Sequence, residues 1–528
     1  MAAASDSAPN LAHPPDFHPT NRFLTGPALV AYIAAAKFLI HFASAKVYGP
    51  FIDELYFLAC GQHLAWGYVD MPPLTAFQAW LTRHLFGDSM YSIRLFPSLA
   101  GAGLILITGA IARALGGKRF AQAIAALGAF ISIGFLAFDS YLSMNSVEPL
   151  VWMGCALLVI KIIQTENTKL WLWFGVLAGI GMLNKDTMLL FGFALVAGLL
   201  LTPERRLMFN RWFLLGGVLA FIIFLPNLVW MIQHHFPHLE LLANIKRNGR
   251  DIQFSIVQFL GYQAGLMHPA TLPIWLLGLW SLLARREMRK FRVLGLAYLI
   301  ALVALLLMHA KVYYLLPAYP MLLAAGGVFW EGVVAKPRLK WLKLSYAVFM
   351  VVTGALLAPT FLPILPPETY LRYTQMTHLA QPRIENRSTN ALPQFFADRC
   401  GWQTMVEKVA QVYNSLSPEE RVKTAIIGND FGQTGAVDYY GPKYGLPKSI
   451  GTHLSNWYWG PRGYTGEIAI VLGDTKRGAS QWFDNVEEVA EVGDPYAMRQ
   501  EHFKILLCRN PKNGMTLEDV WPRIKNFN

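Results

Sequence analysis

From Phe23 to Leu365 the chain is a succession of long apolar runs, and after Pro367 it becomes ordinary mixed sequence. No other feature constrains the fold as strongly. A helix needs roughly 20 apolar residues to cross the hydrocarbon core of a bilayer. Within that core only helices and closed barrels satisfy every backbone polar group. The runs predict spans near 27–46, 93–113, 120–138, 149–165, 170–184, 187–202, 212–232, 270–284, 293–309, 313–333 and 341–362. The run from Ile256 to Met267 is shorter and more polar, and is expected to lie along the interface. Composition agrees: only 15% of residues are charged, against about 25% in a soluble globular protein.

Charge sets the orientation. One set of links carries Arg113, Lys118 and Arg119; Lys169; Arg205, Arg206 and Arg211; Arg285, Arg286, Arg289, Lys290 and Arg292; Lys336, Arg338 and Lys340. The alternate set carries Asp53, Glu54, Asp70 and Asp88; Asp139 and Glu148; Asp186; and the stretch His234 to Asp251. Lys and Arg favour cytoplasmic links. Residues 1–22 are therefore expected to form a cytoplasmic tail and 23–365 the membrane domain, with a first external loop at 47–92. An odd number of spans places residues 366–528 outside the cytoplasm. The N-terminus lacks the basic start of a signal peptide, so the first run reads as a retained span.

The net charge of +12 sits in these short links rather than in a basic stripe with interleaved aromatics, which excludes nucleic acid as a partner. The four cysteines form no CxxC pair, so a zinc ribbon or thioredoxin-like site is not expected. Cys400 and Cys508 could pair outside the cytoplasm or remain thiols. In the tail, "WQTMVEKVAQVYNSL" and "GQTGAVDYYG" read as helices, and "TAIIG", "EIAIVLG" and "FKILLC" as strands. A small α/β domain follows.

Chemistry concentrates in the external loops. Asp53 and Glu54 follow the first span directly, and carboxylates at a membrane surface are expensive unless solvated or used. The loop continues with His63, Trp66, Tyr68 and Asp70. Rings that stack on a sugar and acids that accept its hydroxyl protons suit a carbohydrate, although an interfacial aromatic belt with solvated acids reads the same way. His234, His235 and His238 lack metal-ligand spacing. The strand-to-helix turn in "IIGNDFGQTG" lacks the end of a P-loop, and "GTHLSNWYWGPRGY" suits either a glycan-facing or a packing loop.

The segments Asp53-Glu54-x-Tyr56, "HLAWGYVDMPPL" and "IRLFPSLAG" resemble the first-loop signature of bacterial family 39 glycosyltransferases of the GT-C superfamily. Relatives include protein O-mannosyltransferases and the lipid A aminoarabinose transferase. Within the group the likeness is to the RgtA/B/C/D-like branch. It continues through "MNSVEPLVW", "GMLNKDTMLLFGFAL", "LPNLVWMIQHHFPHL" and "HAKVYYLLPAYPML", so it covers nearly the whole membrane part.

The resemblance implies a polytopic α-helical GT-C protein of about 11 transmembrane helices with a small C-terminal extracytoplasmic α/β domain, in a bacterial inner membrane. It implies transfer of a sugar from a polyprenyl-phosphate carrier to a glycan, lipid or protein acceptor outside the cytoplasm, in contact with membrane lipids. Asp53 matches the family's general base. Glu54 would orient Asp53 or bind sugar hydroxyls. Glu148 would be a further active-site carboxylate, longer than the Asp common there. Lys185 matches a lysine suited to a leaving phosphate, and Lys311 and Arg94 are further external cations. His63, Tyr68, Asp70 and Tyr314 complete the expected substrate-binding set. No cofactor is required, since the donor has one phosphate, although the first-loop acids could hold a divalent metal. The competing class is a secondary transporter or flippase, which predicts charges in mid-span; a scaffold role would leave the first-loop acids unexplained.

Overall fold

The structure, a computed structural model, describes residues 22–249, 252–379 and 389–528. The expected tail 1–22 therefore lies, apart from Arg22, outside the described residues. Each of the eleven apolar runs is helical. Among the described residues, seven helices are long and apolar enough to cross a membrane: Gly26–Ser44, Met90–Ala114, Met144–Thr165, Arg211–Gln233, Arg286–Leu307, Val312–Val334 and Pro337–Phe361. The other four runs are shorter or bent. Leu170–Asn184 and Thr187–Leu200 have 15 and 14 residues, or roughly 21–23 Å at 1.5 Å per residue, short of the hydrocarbon thickness of about 30 Å. Arg119–Ile131 breaks at Ser132 and resumes as the short helix Ile133–Phe138. Ile256–Leu266, expected at the interface, turns by 92° into the apolar helix that ends at Ala284.

Burial runs in the order a bilayer imposes. Val312–Val334 and Met144–Thr165 form the centre, whereas Arg211–Gln233 and Pro337–Phe361 turn Leu214, Phe221, Ile222, Leu344 and Val352 outward. Such an apolar exterior is stable only against lipid. Glycines set two of the helix crossings. A Cβ on Gly175 would meet the backbone of Gly216, and one on Gly278 would meet that of Leu322. Close backbone approach of this kind replaces the hydrophobic drive that lipid removes.

A buried ion pair ties the first span to the broken helix. Lys37 Nζ lies 2.9 Å from Asp139 Oδ2 and donates to the Phe135 carbonyl at 3.0 Å. His41 bonds the Leu136 carbonyl at 3.2 Å. These cationic and polar groups satisfy the carbonyls left open where Ile133–Phe138 ends.

The C-terminal domain carries a five-stranded sheet in the order β2-β1-β3-β5-β4. β1 (Thr424–Gly428) runs parallel to β2 (Ile450–Gly451) and β3 (Ile468–Leu472), with Ile426 opposite Ile470. β5 (Phe503–Pro511) is antiparallel to β3 and to β4 (Phe483–Val492), the one strand longer than two residues that the sequence reading did not anticipate. β4 carries four acidic residues in ten and is mostly exposed, so its apolar alternation is weak. Helices Trp402–Ser415 and Phe431–Tyr440 share a core with Ile426, Ile470 and Leu472 and with the first-loop helix Ile52–Gln62. Gly432 and Gly435 allow this contact: a Cβ at either would meet Ile52 or Leu55. The glycines of "GQTG" thus dock the soluble domain onto the first loop. Cys400 and Cys508 are both free thiols.

Candidate active site

The first-loop helix begins beside a cavity of about 480 Å³. Its wall brings together Phe51, Ile52 and Asp53, the short helix at Gly134 and Phe138, Tyr141 and Asn145, Tyr262, Tyr313, Tyr370, and the soluble-domain segment from Thr389 to Asp398. Asp53 occupies the second position of the helix. Negative charge there is favoured by the unpaired backbone N–H groups and the helix dipole.

Glu54, one residue on, is placed quite differently. It is fully buried, and both of its oxygens are engaged. Oε1 accepts from Arg94 Nε at 3.0 Å and from the Leu142 amide at 2.8 Å; Oε2 accepts from Arg94 Nη2 at 2.7 Å and from the Phe51 amide at 2.8 Å. Burial is the largest influence and would push its carboxyl up, but the charge and hydrogen bonds of Arg94, together with Arg399 and the Leu142 amide, hold it below the usual carboxylate range. Arg94 also donates to the carbonyls of Ala45 and Gly49 and is 1% exposed. Of the two roles expected for Glu54, the geometry supports orientation of the Asp53 turn. The expected contact of Arg94 with substrate is not what the structure gives: the guanidinium faces Glu54 and the loop backbone rather than the cavity. The same saturation leaves Glu54 no oxygen for a metal shared with Asp53. Among the described residues no cluster of three or more His, Cys, Asp or Glu side chains is placed to hold a metal.

Asn145 and Tyr313 connect the cavity to a second polar group. Lys185 Nζ donates to Asn145 Oδ1 and Glu148 Oε2, each at 2.8 Å, and Glu148 also accepts from the Thr187 hydroxyl. The ammonium lies 4.3 Å from the Tyr314 ring centroid and 5.7 Å from that of Tyr313. Lys185, Glu148 and Tyr314, each expected at the site separately, are therefore brought together, with Lys185 touching both. Lys311 is half-buried, one residue before the cavity-lining Val312.

The other first-loop residues lie elsewhere. Tyr68 is buried; its hydroxyl accepts from the Ala65 amide and donates to the Cys60 carbonyl. Asp70 accepts from the Tyr56 hydroxyl at 2.8 Å, and Tyr56 Oη sits 2.7 Å from Ser455 Oγ. Burial pushes the Asp70 carboxyl up, against the pull of Tyr56 and His238. His63 stacks on Trp459 at 4.3 Å and meets Arg462 at 3.2 Å. Of these three side chains, expected at the substrate, Tyr68 instead braces the first loop internally, whereas His63, and Asp70 through Tyr56, join that loop to "GTHLSNWYWGPRGY", which acts here as a packing loop. His234 stacks on Trp230, and His238 lies 3.9 Å from Asp186.

Residues not singled out from the sequence complete the cavity. Tyr141 precedes "MNSVEPLVW" and Asn145 lies within it. Asp398 and the adjacent Arg399 come from "FFADRCGW", where a charged pair set among aromatics was the available signal.

Residues 70–230 match the family model described as dolichyl-phosphate-mannose-protein mannosyltransferase. No curated protein is a significant sequence match. Among solved structures, the chain is similar to ArnT from Cupriavidus metallidurans bound to undecaprenyl phosphate, at 13% identity and a TM-score of 0.59, covering 92% of this chain and 98% of that one. It is also similar to the apo state of the same protein, at 16% identity and a TM-score of 0.58, covering 90% and 97%.

Proposed function

We propose that this chain, a membrane glycosyltransferase of the GT-C type, moves a sugar from a polyprenyl-phosphate carrier to an acceptor outside the cytoplasm of a bacterial cell, in the inner membrane. The observation that carries the reading is the Asp53 carboxylate at the wall of a 480 Å³ cavity, with a lysine-centred network on the adjoining wall. The family match covers Glu148 and Lys185, and the bound undecaprenyl phosphate named for the neighbouring ArnT structure supports the choice of carrier.

The chemistry follows from those positions. Asp53 removes the proton from an acceptor hydroxyl as its oxygen attacks the anomeric carbon. The bond from that carbon to the carrier phosphate breaks on the opposite face, so the anomeric configuration inverts. Charge develops on the departing phosphate, and a preoriented ammonium stabilises it in a site of low dielectric. Lys185 supplies that charge, while Glu148, Asn145 and Tyr314 fix its direction. Glu54 and Arg94 hold the turn that presents Asp53. Envelope glycans, lipopolysaccharide and glycoproteins are the acceptor classes that such an orientation serves, and no metal is required.

The test uses purified protein with radiolabelled sugar on polyprenyl phosphate and an envelope extract as acceptor. The proposal expects released polyprenyl phosphate to equal sugar transferred, with the product anomer opposite to the donor's by NMR. Retention of configuration would overturn the single displacement. Sugar accumulating inside vesicles without transfer would overturn the transferase reading itself.

A further inference from the structure

The soluble domain covers the two faces of its sheet unequally. Ile426 and Ile470 face the helices Trp402–Ser415 and Phe431–Tyr440. Side chains alternate along a strand, so Ile427 and Val471 point to the other face. Only short elements cover that face: Lys476–Ala479 with Trp482 and Phe483 over one part, and Leu517–Val520 with Met515 and Ile524 over the other. Between them lies a cavity of about 180 Å³.

Its polar edge stands at the carboxyl ends of the three parallel strands. Asn429 follows β1, Thr452 follows β2 and Asp474 lies just beyond β3, and all three line the cavity. β1 connects to β2 on one side of itself, and the chain then returns to place β3 on the other. Open α/β sheets bind ligands at such a reversal of strand order, outside the carboxyl ends. Asn429 Nδ2 donates to the Gly473 carbonyl at 3.2 Å, which ties the ends of β1 and β3 together. Asp474 Oδ1 accepts from the Thr475 amide at 2.7 Å, and the residue remains half-buried.

The wall selects the ligand. Asp474 is its one charged residue among the described residues, so a phosphate or carboxylate is repelled. The neighbouring helix Phe431–Tyr440 offers no anion site either, because Asp430 Oδ1 accepts from the Gly432 amide at 2.7 Å and caps it. A volume of about 180 Å³ is below the roughly 300–1,000 Å³ of pockets for drug-sized ligands, which suits one ring rather than a chain. An uncharged ring with hydroxyls on one edge and an apolar face fits this lining. Trp482, Phe483 and Leu517 meet the apolar face, and Asn429, Thr452 and Asp474 meet the hydroxyls.

We propose that this cavity binds a neutral sugar unit of the acceptor, which makes the acceptor a glycan. The inference rests on the transferase reading above. The opposite face of the sheet carries the helix that docks on the first loop through Gly432 and Gly435, so a sugar held here is not the one that attacks. It tethers a longer acceptor and raises the effective concentration of the reacting end at the catalytic cavity.

The experiment titrates the full chain in lipid nanodiscs with glucose, galactose, mannose and N-acetylglucosamine, read by saturation-transfer NMR. Asp474→Ala, Thr452→Val and Met515→Trp, the last of which fills the cavity, are titrated alongside at matched thermal stability. At least one sugar should bind the wild type. Losing a hydrogen bond to a charged group predicts a Kd raised about tenfold to a hundredfold in Asp474→Ala, and losing a hydroxyl about twofold to tenfold in Thr452→Val. Met515→Trp should abolish this binding. With a polymeric glycan acceptor, the same variants should raise acceptor KM while kcat and donor KM stay within twofold. No binding by any of the four sugars overturns the proposal, and so does equal binding by all the variants, which places the sugar elsewhere. The two readings fail separately, because binding is read without transfer. Sugar binding lost in Asp474→Ala and Met515→Trp sustains the site even where no transfer is seen, whereas transfer with wild-type acceptor KM in all three variants keeps the transferase and removes the site.

Discussion

Replacing Arg94 with Met tests whether this cation is architecture or substrate contact. The residue is 1% exposed and makes two bonds to a carboxylate that is fully buried. Removing one partner of a buried ion pair costs about 3–5 kcal/mol, because the other charge remains. Glu54 keeps the amides of Phe51 and Leu142, which places the charge term at the low end of that range. The carbonyls of Ala45 and Gly49 lose their donor, adding roughly 1 kcal/mol each. The sum, about 5 kcal/mol, is comparable to the whole stability of many domains. Arg94→Met should therefore show a marked loss of folded yield and a lower denaturation midpoint in detergent, while its folded fraction keeps a wild-type donor KM. Adding Glu54→Gln removes the stranded charge and should recover part of the loss. The pH dependence has a definite sign. In the wild type, Glu54 is held below its ordinary value of 4.5, so its contribution is present above that pH and is lost as pH falls through the folded value. Without Arg94, burial pushes the carboxyl up, so the penalty should shrink on acidification. A variant as stable as wild type with donor KM raised tenfold would refute the reasoning and return Arg94 to the substrate.

Lys185→Met should lower kcat by more than it raises KM, since the ammonium serves charge that develops on departure of the phosphate; an effect on KM alone would make it a ground-state contact. Asp70→Asn should be at least as stable as wild type at pH 7, with the advantage fading as pH falls toward 4, because burial makes the ionised carboxylate costly. A clear drop in its denaturation midpoint at pH 7 would contradict this. Gly216→Val should separate Leu170–Asn184 from Arg211–Gln233 and destabilise the protein by about 1–3 kcal/mol or more, whereas Gly217→Val, which meets nothing, should be neutral by the same thermal assay.

Much of the architecture was legible because the bilayer demands long apolar runs, and each of those runs is a helix. The number of full-length crossings was less legible. Hydropathy does not register the break at Ser132, nor the glycine crossing that lets Leu170–Asn184 stay short. Strands β1, β3 and β5 stood out because they are buried and apolar, whereas β4 is charged and one-sided. At the site, Asp53, Glu148, Lys185 and Tyr314 were each named from motifs on one membrane surface, but the contact of Lys185 with Glu148 and Tyr314 is visible only in the fold. Glu54 and Asp53 are adjacent in sequence but turn to different surroundings, and only the helix start separates a cavity carboxylate from a buried knot. Asp398 and Arg399 lie some 345 residues beyond Asp53 in the chain, and no local pattern tells that a distant loop folds onto the same cavity. Lys37 hides for another reason. A single lysine in an apolar run reads as a tolerated charge until Asp139 is found 2.9 Å away.

The central claim is most directly tested by sugar transfer with Asp53→Asn against the intact protein, at equal expression and equal thermal stability, using labelled sugar on polyprenyl phosphate. The account predicts robust transfer by the wild type and a fall of about 10²–10⁴ in rate for the variant, the usual loss when a general base is removed. Equal transfer by both proteins would contradict it and would move the base to another residue.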